Sequence, residues 1–101
     1  MAISIATAND GKELTLKISG RFDHSAMTDF RRAYESAPGN PDIYVLDMRG
    51  VSYMDSSGLS ILLLLHVHVG NRKFRVRIIN CNPAVSKVLA ISKFDELFDI
   101  Q

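Results

Sequence analysis

Tyr44-Val45-Leu46-Asp47-Met48-Arg49-Gly50-Val51-Ser52-Tyr53-Met54-Asp55-Ser56-Ser57-Gly58-Leu59 joins two apolar runs through a polar turn. The first run, Ile43 to Met48, lies between Pro41 and Gly50. It is long enough for a buried strand and too short for a helix. The second, Leu59 to Val69, contains four consecutive leucines without a period, and His66-Val67-His68-Val69 alternates like a strand. Its length, the Asp-Ser-Ser start and the Gly70 stop nonetheless predict a helix, mostly buried. Asp55 is then the N-cap, with Ser56, Ser57 and Gly58 in the first turn. Such a corner is expected to present unpaired N–H groups and the positive end of the helix dipole, so a phosphate there would meet donors.

Upstream, Ala26, Met27, Phe30, Ala33, Tyr34 and Ala37 approach the spacing of an amphipathic helix. Asp23 or Ser25 would cap it, and Pro38-Gly39 would stop it. Before it, Ile3-Ser4-Ile5 and Leu14-Thr15-Leu16-Lys17-Ile18 alternate around the turn-forming Asn9-Asp10-Gly11-Lys12. That is a β-hairpin pattern, with Gly20 closing the second strand. Downstream, Phe74 to Ile79 alternates as a strand, and Asn82-Pro83 opens a helix with Val85, Val88, Leu89 and Phe94 inward. Leu97 to Ile100 supplies a last short strand. The fold class is α/β: one small domain over residues 1–101, with a mixed sheet of four or five strands and about three helices. An antiparallel hairpin opens the sheet, and parallel pairings with right-handed crossovers follow.

The net charge of +1 gives no overall field for nucleic acid or an acidic membrane. No run is long enough to span a bilayer, and the N-terminus lacks the basic and apolar regions of a signal peptide. The single cysteine, Cys81, fits a reducing compartment, so a cytoplasmic location is expected.

Several chemistries are poorly supported. Asp55-Ser56-Ser57-Gly58 does not fit a Gly-x-Ser-x-Gly elbow, and only His24 sits where it could approach the serines. His66 and His68 point about 200° apart on a helix and cannot share a metal ion. No Gly-rich phosphate loop is present. Arg72, Lys73, Arg75 and Arg77 form a basic cluster, read more readily as a solvated or protected strand edge than as a nucleic-acid site. A passive helix cap explains Asp55 and Ser56 as well as any chemistry does. The functional alternative is a modifiable hydroxyl: phosphorylating Ser56 would add about −1.5 to −2 charges beside Asp55.

Asp47 to Leu59 closely resembles the signature of STAS domains, in particular the stand-alone anti-sigma factor antagonists of bacteria. Ile18-Ser19-Gly20-Arg21-Phe22-Asp23 resembles that family's Gly-x-Φ-Asp element, Φ being apolar. Asn82-Pro83-Ala84-Val85-Ser86-Lys87-Val88-Leu89 resembles its third helix. The resemblance implies the STAS fold, with helices mainly on one face of the sheet and the C-terminal helix absent or truncated. It also implies partner switching in transcription regulation. The unphosphorylated domain would bind an anti-sigma-type serine kinase, phosphorylation of Ser56 would release it, and a PP2C-like phosphatase would reset it. Asp23, Asp55, Ser57, Gly58 and Leu59 would border the acceptor as partner-binding residues. ATP and Mg²⁺ would belong to the kinase, so no cofactor is expected here. Nor are an enzyme activity, direct nucleic-acid contact or membrane insertion. Two positions depart from the pattern: Ser60 stands where glycine is frequent, and Ser92-Lys93-Phe94 lacks the glycine of a Ser-Gly-Leu. The rival readings are a constitutive STAS subunit of a lipid-transport or other multiprotein assembly, and an enzyme or ligand binder using Asp23, His24 and Ser56.

Overall fold

A computed structural model describes every residue, Met1–Gln101. Strands β1 (Ala2–Ala8) and β2 (Glu13–Phe22) form the expected hairpin. The turn between them holds Asn9, Asp10 and Gly11 at positive φ, the reason those residue types are there. β2 does not close at Gly20. Gly20, at φ +95°, adjoins a register shift, and the strand continues to Phe22. The glycine absorbs a bulge where the sequence suggests an end.

A 3-10 turn at His24–Ala26 leads into α1 (Met27–Glu35), which buries Phe30 and Tyr34. Neither candidate caps α1 itself, whose N-cap is Ala26 without a side-chain bond; Asp23 caps the preceding 3-10 turn instead, its carboxylate accepting from the Ser25 N–H. β3 (Ile43–Met54) then runs well past Met48, through Gly50. A Cβ on Gly50 would stand 2.7 Å from the Ser19 Cβ, so its absence lets β2 and β3 stay paired across the bulged region. α2 (Ser56–His68) is the predicted helix.

β4 is Val76–Ile79, shorter than the alternation from Phe74 suggests, because Phe74 is held at φ +65° outside the extended region. Lys73 and Arg75 therefore do not share a strand face with Arg77. β4 is also interior rather than an edge, and the basic cluster is dispersed: Arg72 donates to the Val69 carbonyl, and Arg77 pairs with Asp99. α3 (Pro83–Ile91) begins at Asn82, whose side chain accepts from the Val85 N–H and donates to the Val51 carbonyl. Phe94 lies beyond α3, buried in a 3-10 turn at Phe94–Glu96, and β5 is only Asp99–Ile100. No helix follows β5.

The strand order is β1-β2-β3-β4-β5, antiparallel for the first pair and parallel thereafter. Three successive crossovers advance in one direction, so right-handed connections put all three helices on one face. Burial agrees. Leu14, Leu16, Ile18, Tyr44, Leu46, Met48, Val76 and Ile78 point to that face and share one core with α1, α2 and α3. Thr15, Lys17, Asp47 and Arg77 alternate to the other, uncovered face. Each fully buried Leu, Ile or Phe of that core contributes about 1.5–3 kcal/mol. The result is a fixed platform on which the ends of β2 and β3 carry two adjoining caps.

Candidate functional site

Both caps come from one three-residue pattern on neighbouring parallel strands. Arg21-Phe22-Asp23 ends β2 and Tyr53-Met54-Asp55 ends β3, with Arg21 in register with Tyr53 and Phe22 with Met54. The middle residue of each is buried, which turns its neighbours to the opposite face. Each aspartate is extended, at φ −132° and ψ −167° for Asp23 and φ −126° and ψ −170° for Asp55, the geometry of an N-cap.

Asp55 Oδ1 accepts from the N–H groups of Ser57 at 3.0 Å and Gly58 at 3.2 Å, and the Asp55 carbonyl accepts from Leu59 N–H at 3.2 Å. The first turn's donors are therefore largely taken. The expectation of ready-made donors for a phosphate is corrected by this geometry, because the cap occupies them. Ser56 is exposed, and its carbonyl accepts from the Ser60 hydroxyl at 3.2 Å. Ser57 and Leu59 are half-buried. Gly58 lies beneath the surface, where a Cβ would overlap the Phe22 carbonyl and stand 2.9 Å from Met54 Cγ.

Asp23 is buried beside this corner. Its Oδ1 accepts from the Ser25 hydroxyl at 2.5 Å and the Ser25 N–H at 3.0 Å, and its Oδ2 from Arg21 Nε at 3.2 Å. The Ser25 hydroxyl, with help from the Ser25 N–H and Arg21, holds the carboxyl below the usual aspartate range against the opposing effect of burial. Arg21 also lies over the Tyr53 ring, 4.0 Å from its centroid, and the Tyr53 hydroxyl donates to Asp55 Oδ2 at 3.3 Å. One chain of contacts thus runs Asp23–Arg21–Tyr53–Asp55 across the two strand ends. The ion pair, its Arg21 end exposed to solvent, adds little by itself; the stacked guanidinium contributes about 0.5–1 kcal/mol and ties the two strand ends together. Sequence reasoning passed over Arg21 and Tyr53. The signal was present in the repeated x-apolar-Asp ending, but only the strand register shows that the two meet.

From Ser56 a stripe runs along the outer side of α2 at helical spacing: Ser60, Leu63, Leu64 and Val67. Leu63 is 41%, Leu64 44% and Val67 60% exposed, an apolar strip continuous with the serine corner. Of the molecule's four surface depressions, one of about 260 Å³ takes in Leu64 and Val67 of this strip beside Tyr34 and His68, and none is lined by Asp23, Asp55, Ser56 or Ser57.

The remaining candidates fall elsewhere. His24 is exposed and makes no hydrogen bond to Asp23 or Ser56, so the three do not form a relay. His66 packs against Phe98, and His68 lies between Tyr34 and Tyr44, on different sides of α2. Cys81 is half-buried, and desolvation pushes its thiol up. No helix is long and apolar enough to cross a membrane.

Comparison with known proteins bears on the family and the fold. Residues 5–99 match the family model described as "Mlab, STAS domain". A STAS-domain containing protein of Pseudomonas aeruginosa is 49% identical over 100 residues, which cover 99% of each chain. Among solved structures, the phosphorylated form of the Bacillus cell fate determinant SpoIIAA superposes with a TM-score of 0.67. It is 18% identical, and the match covers 99% of this chain and 91% of that one. The STAS domain of an antisigma-factor antagonist from Rhodobacter sphaeroides gives 0.62 at 22% identity, covering 82% of this chain and 89% of that one.

Proposed function

The chain belongs to the STAS domain family, and from that membership we propose that it is a binding module switched by phosphorylation of Ser56. The unphosphorylated form binds a regulatory serine kinase of the anti-sigma type. Phosphorylation releases that partner, a PP2C-like phosphatase restores binding, and the cycle runs in the bacterial cytoplasm to control transcription. One observation carries the reading: an exposed Ser56 heads the apolar strip of Leu63, Leu64 and Val67. A partner covering that strip desolvates the serine at its end.

The occupied cap strengthens the electrostatic case. A phosphate on Ser56 brings about −1.5 to −2 charges to a corner that already holds Asp55 and Asp23. Asp55 has taken the Ser57 and Gly58 N–H groups, so those donors do not neutralise it. The added charge is therefore directed outwards, where a docked partner meets like-charge repulsion and a desolvation cost. Asp55, Ser57 and Leu59 border the contact, while Asp23 and Gly58 act from beneath by fixing the corner's shape.

A second reading, a constitutive subunit of a lipid-transport or other multiprotein assembly, is favoured by the strip itself, since three adjacent exposed aliphatic side chains benefit from permanent cover. Phosphopeptide mass spectrometry of the protein from its own cells separates the two. Phosphate on Ser56 that rises and falls with growth conditions supports the switch, and its absence under all conditions supports the constitutive subunit.

A further inference from the structure

β1 forms one edge of the sheet, and its Ala-Ile-Ser-Ile-Ala-Thr-Ala sequence contains neither a charge nor a proline. It pairs with β2 alone, in unbroken register from Ala2 opposite Ser19 to Ala8 opposite Glu13. Alternate residues along it therefore turn unpaired N–H and C=O groups outwards over a length of about 24 Å. Long edges are ordinarily blunted by lysine, proline or a bulge, and β1 has none of these. The opposite edge, β5, is two residues long.

The helix side of this edge is apolar at its centre. Ile5, the middle residue of β1, points to the same face as the buried Leu16 yet is 42% exposed. Beside it lies a groove of about 360 Å³ between β1 and α1, lined by Ile3, Ile5, Ala33, Asp29, Arg32 and Ser36. Its two charged residues have opposite signs and lie one helical turn apart.

We propose that β1 is a docking edge for a second copy of this chain, the two β1 strands pairing antiparallel so that one sheet runs through both. Self-complementarity selects a copy over any other strand. A two-fold axis through Ile5 sets that residue against its own counterpart, Ile3 against Thr7, Ser4 against Ala6 and Ala2 against Ala8. Small side chains thus meet on the uncovered face, and β-branched ones, Ile3, Ile5 and Thr7, on the helix face. The axis is perpendicular to the sheet, so both α1 helices lie on the same side and run antiparallel. The groove of each copy, with Asp29 and Arg32 on its wall, then adjoins that of the other, so that opposite charges are at hand on both sides for the reciprocal contacts of an isologous interface.

Sedimentation equilibrium of the full chain, carried to about 1 mM, the weak end of specific association, tests this. The wild type is expected to show a monomer–dimer equilibrium, and a monomer throughout that range overturns the proposal. Ile5→Lys places like charges on the axis and is expected to abolish the dimer, whereas Val67→Lys on the α2 strip leaves it intact. The reverse pattern overturns the proposal. Asp29→Arg and Arg32→Asp, on the helix surface and read beside circular dichroism, should each weaken self-association at least about tenfold. An equimolar mixture of the two should form a heterodimer. If the mixture associates no better than either variant alone, the proposed geometry is wrong.

Discussion

Gly58, in the first turn of α2, rests directly on the carbonyl of Phe22 at the end of β2. A Cβ at position 58 would overlap that oxygen and also stand 2.9 Å from both Met54 Cγ and Phe22 Cδ1. The glycine of the Asp-Ser-Ser-Gly segment is thus a matter of space, and α2 can start where it does because nothing projects there. Gly58→Ala would ordinarily favour a helix interior. Here it is expected to destabilise by about 1–3 kcal/mol, the cost of overpacking, read as a lower urea midpoint with unchanged m-value.

Lys93 supplies the opposite case, a position that would benefit from glycine. It follows the C-cap Ser92 of α3 in the left-handed conformation, φ 58° and ψ 35°, and its N–H donates to the Ala90 carbonyl. This is the place where helices commonly carry glycine. Lys93→Gly should raise stability by about 0.5–1 kcal/mol by removing the Cβ penalty, and thermal denaturation would show it as a higher Tm.

The acid limb of stability should depend on Asp23 and Asp47. The Ser25 hydroxyl, and for Asp47 the Asn80 amide, hold these carboxyls below their usual value of 3.8 in the folded chain. A lowered folded pKa means that the unfolded chain binds more protons in that range. The stabilisation is therefore present above pH 3.8 and lost as pH falls through the folded value. Ser25→Ala should lower stability at about pH 6, and the gap from wild type should narrow towards about pH 2.5. A gap of the same size at both pH values would show that Ser25 acts without the Asp23 charge.

Much of this was legible in the residues. Asn9-Asp10-Gly11 marked the hairpin because such residues accept its positive φ values most readily, and Asp55 marked the start of α2 because a carboxylate satisfies the first-turn N–H groups. The misreadings arose where tertiary contacts overrode local pattern. Gly20 and Gly50 looked like strand ends but serve bulges and close strand approach, which only the β2–β3 pairing reveals. Phe74 fits a strand by alternation, yet its N–H donates to the Leu97 carbonyl with φ positive, a contact set from the other end of the chain. At the site, Asp55 and Ser56 stood out as a cap and its neighbour. The Arg21–Tyr53 stack depended on register and had no local signature of its own.

The α2 strip should matter to a partner and little to the fold. Leu64 and Val67 are 44% and 60% exposed, so Leu64→Asp and Val67→Asp should change stability by no more than about 0.5 kcal/mol, as at other surface sites. Each should weaken partner binding at least about tenfold if the strip is the centre of the contact. Urea denaturation and affinity capture on the same preparations separate the two effects.

Side-by-side affinity purification of Ser56→Ala and Ser56→Asp chains from their own cells, quantified by mass spectrometry, addresses the switch most directly. The Ala form should retain a serine-kinase partner that the Asp form loses by a factor of about ten or more, the equivalent of at least ~1.4 kcal/mol of repulsion and desolvation at the interface. Equal recovery of that partner by both chains would contradict the central claim that charge at Ser56 decides binding.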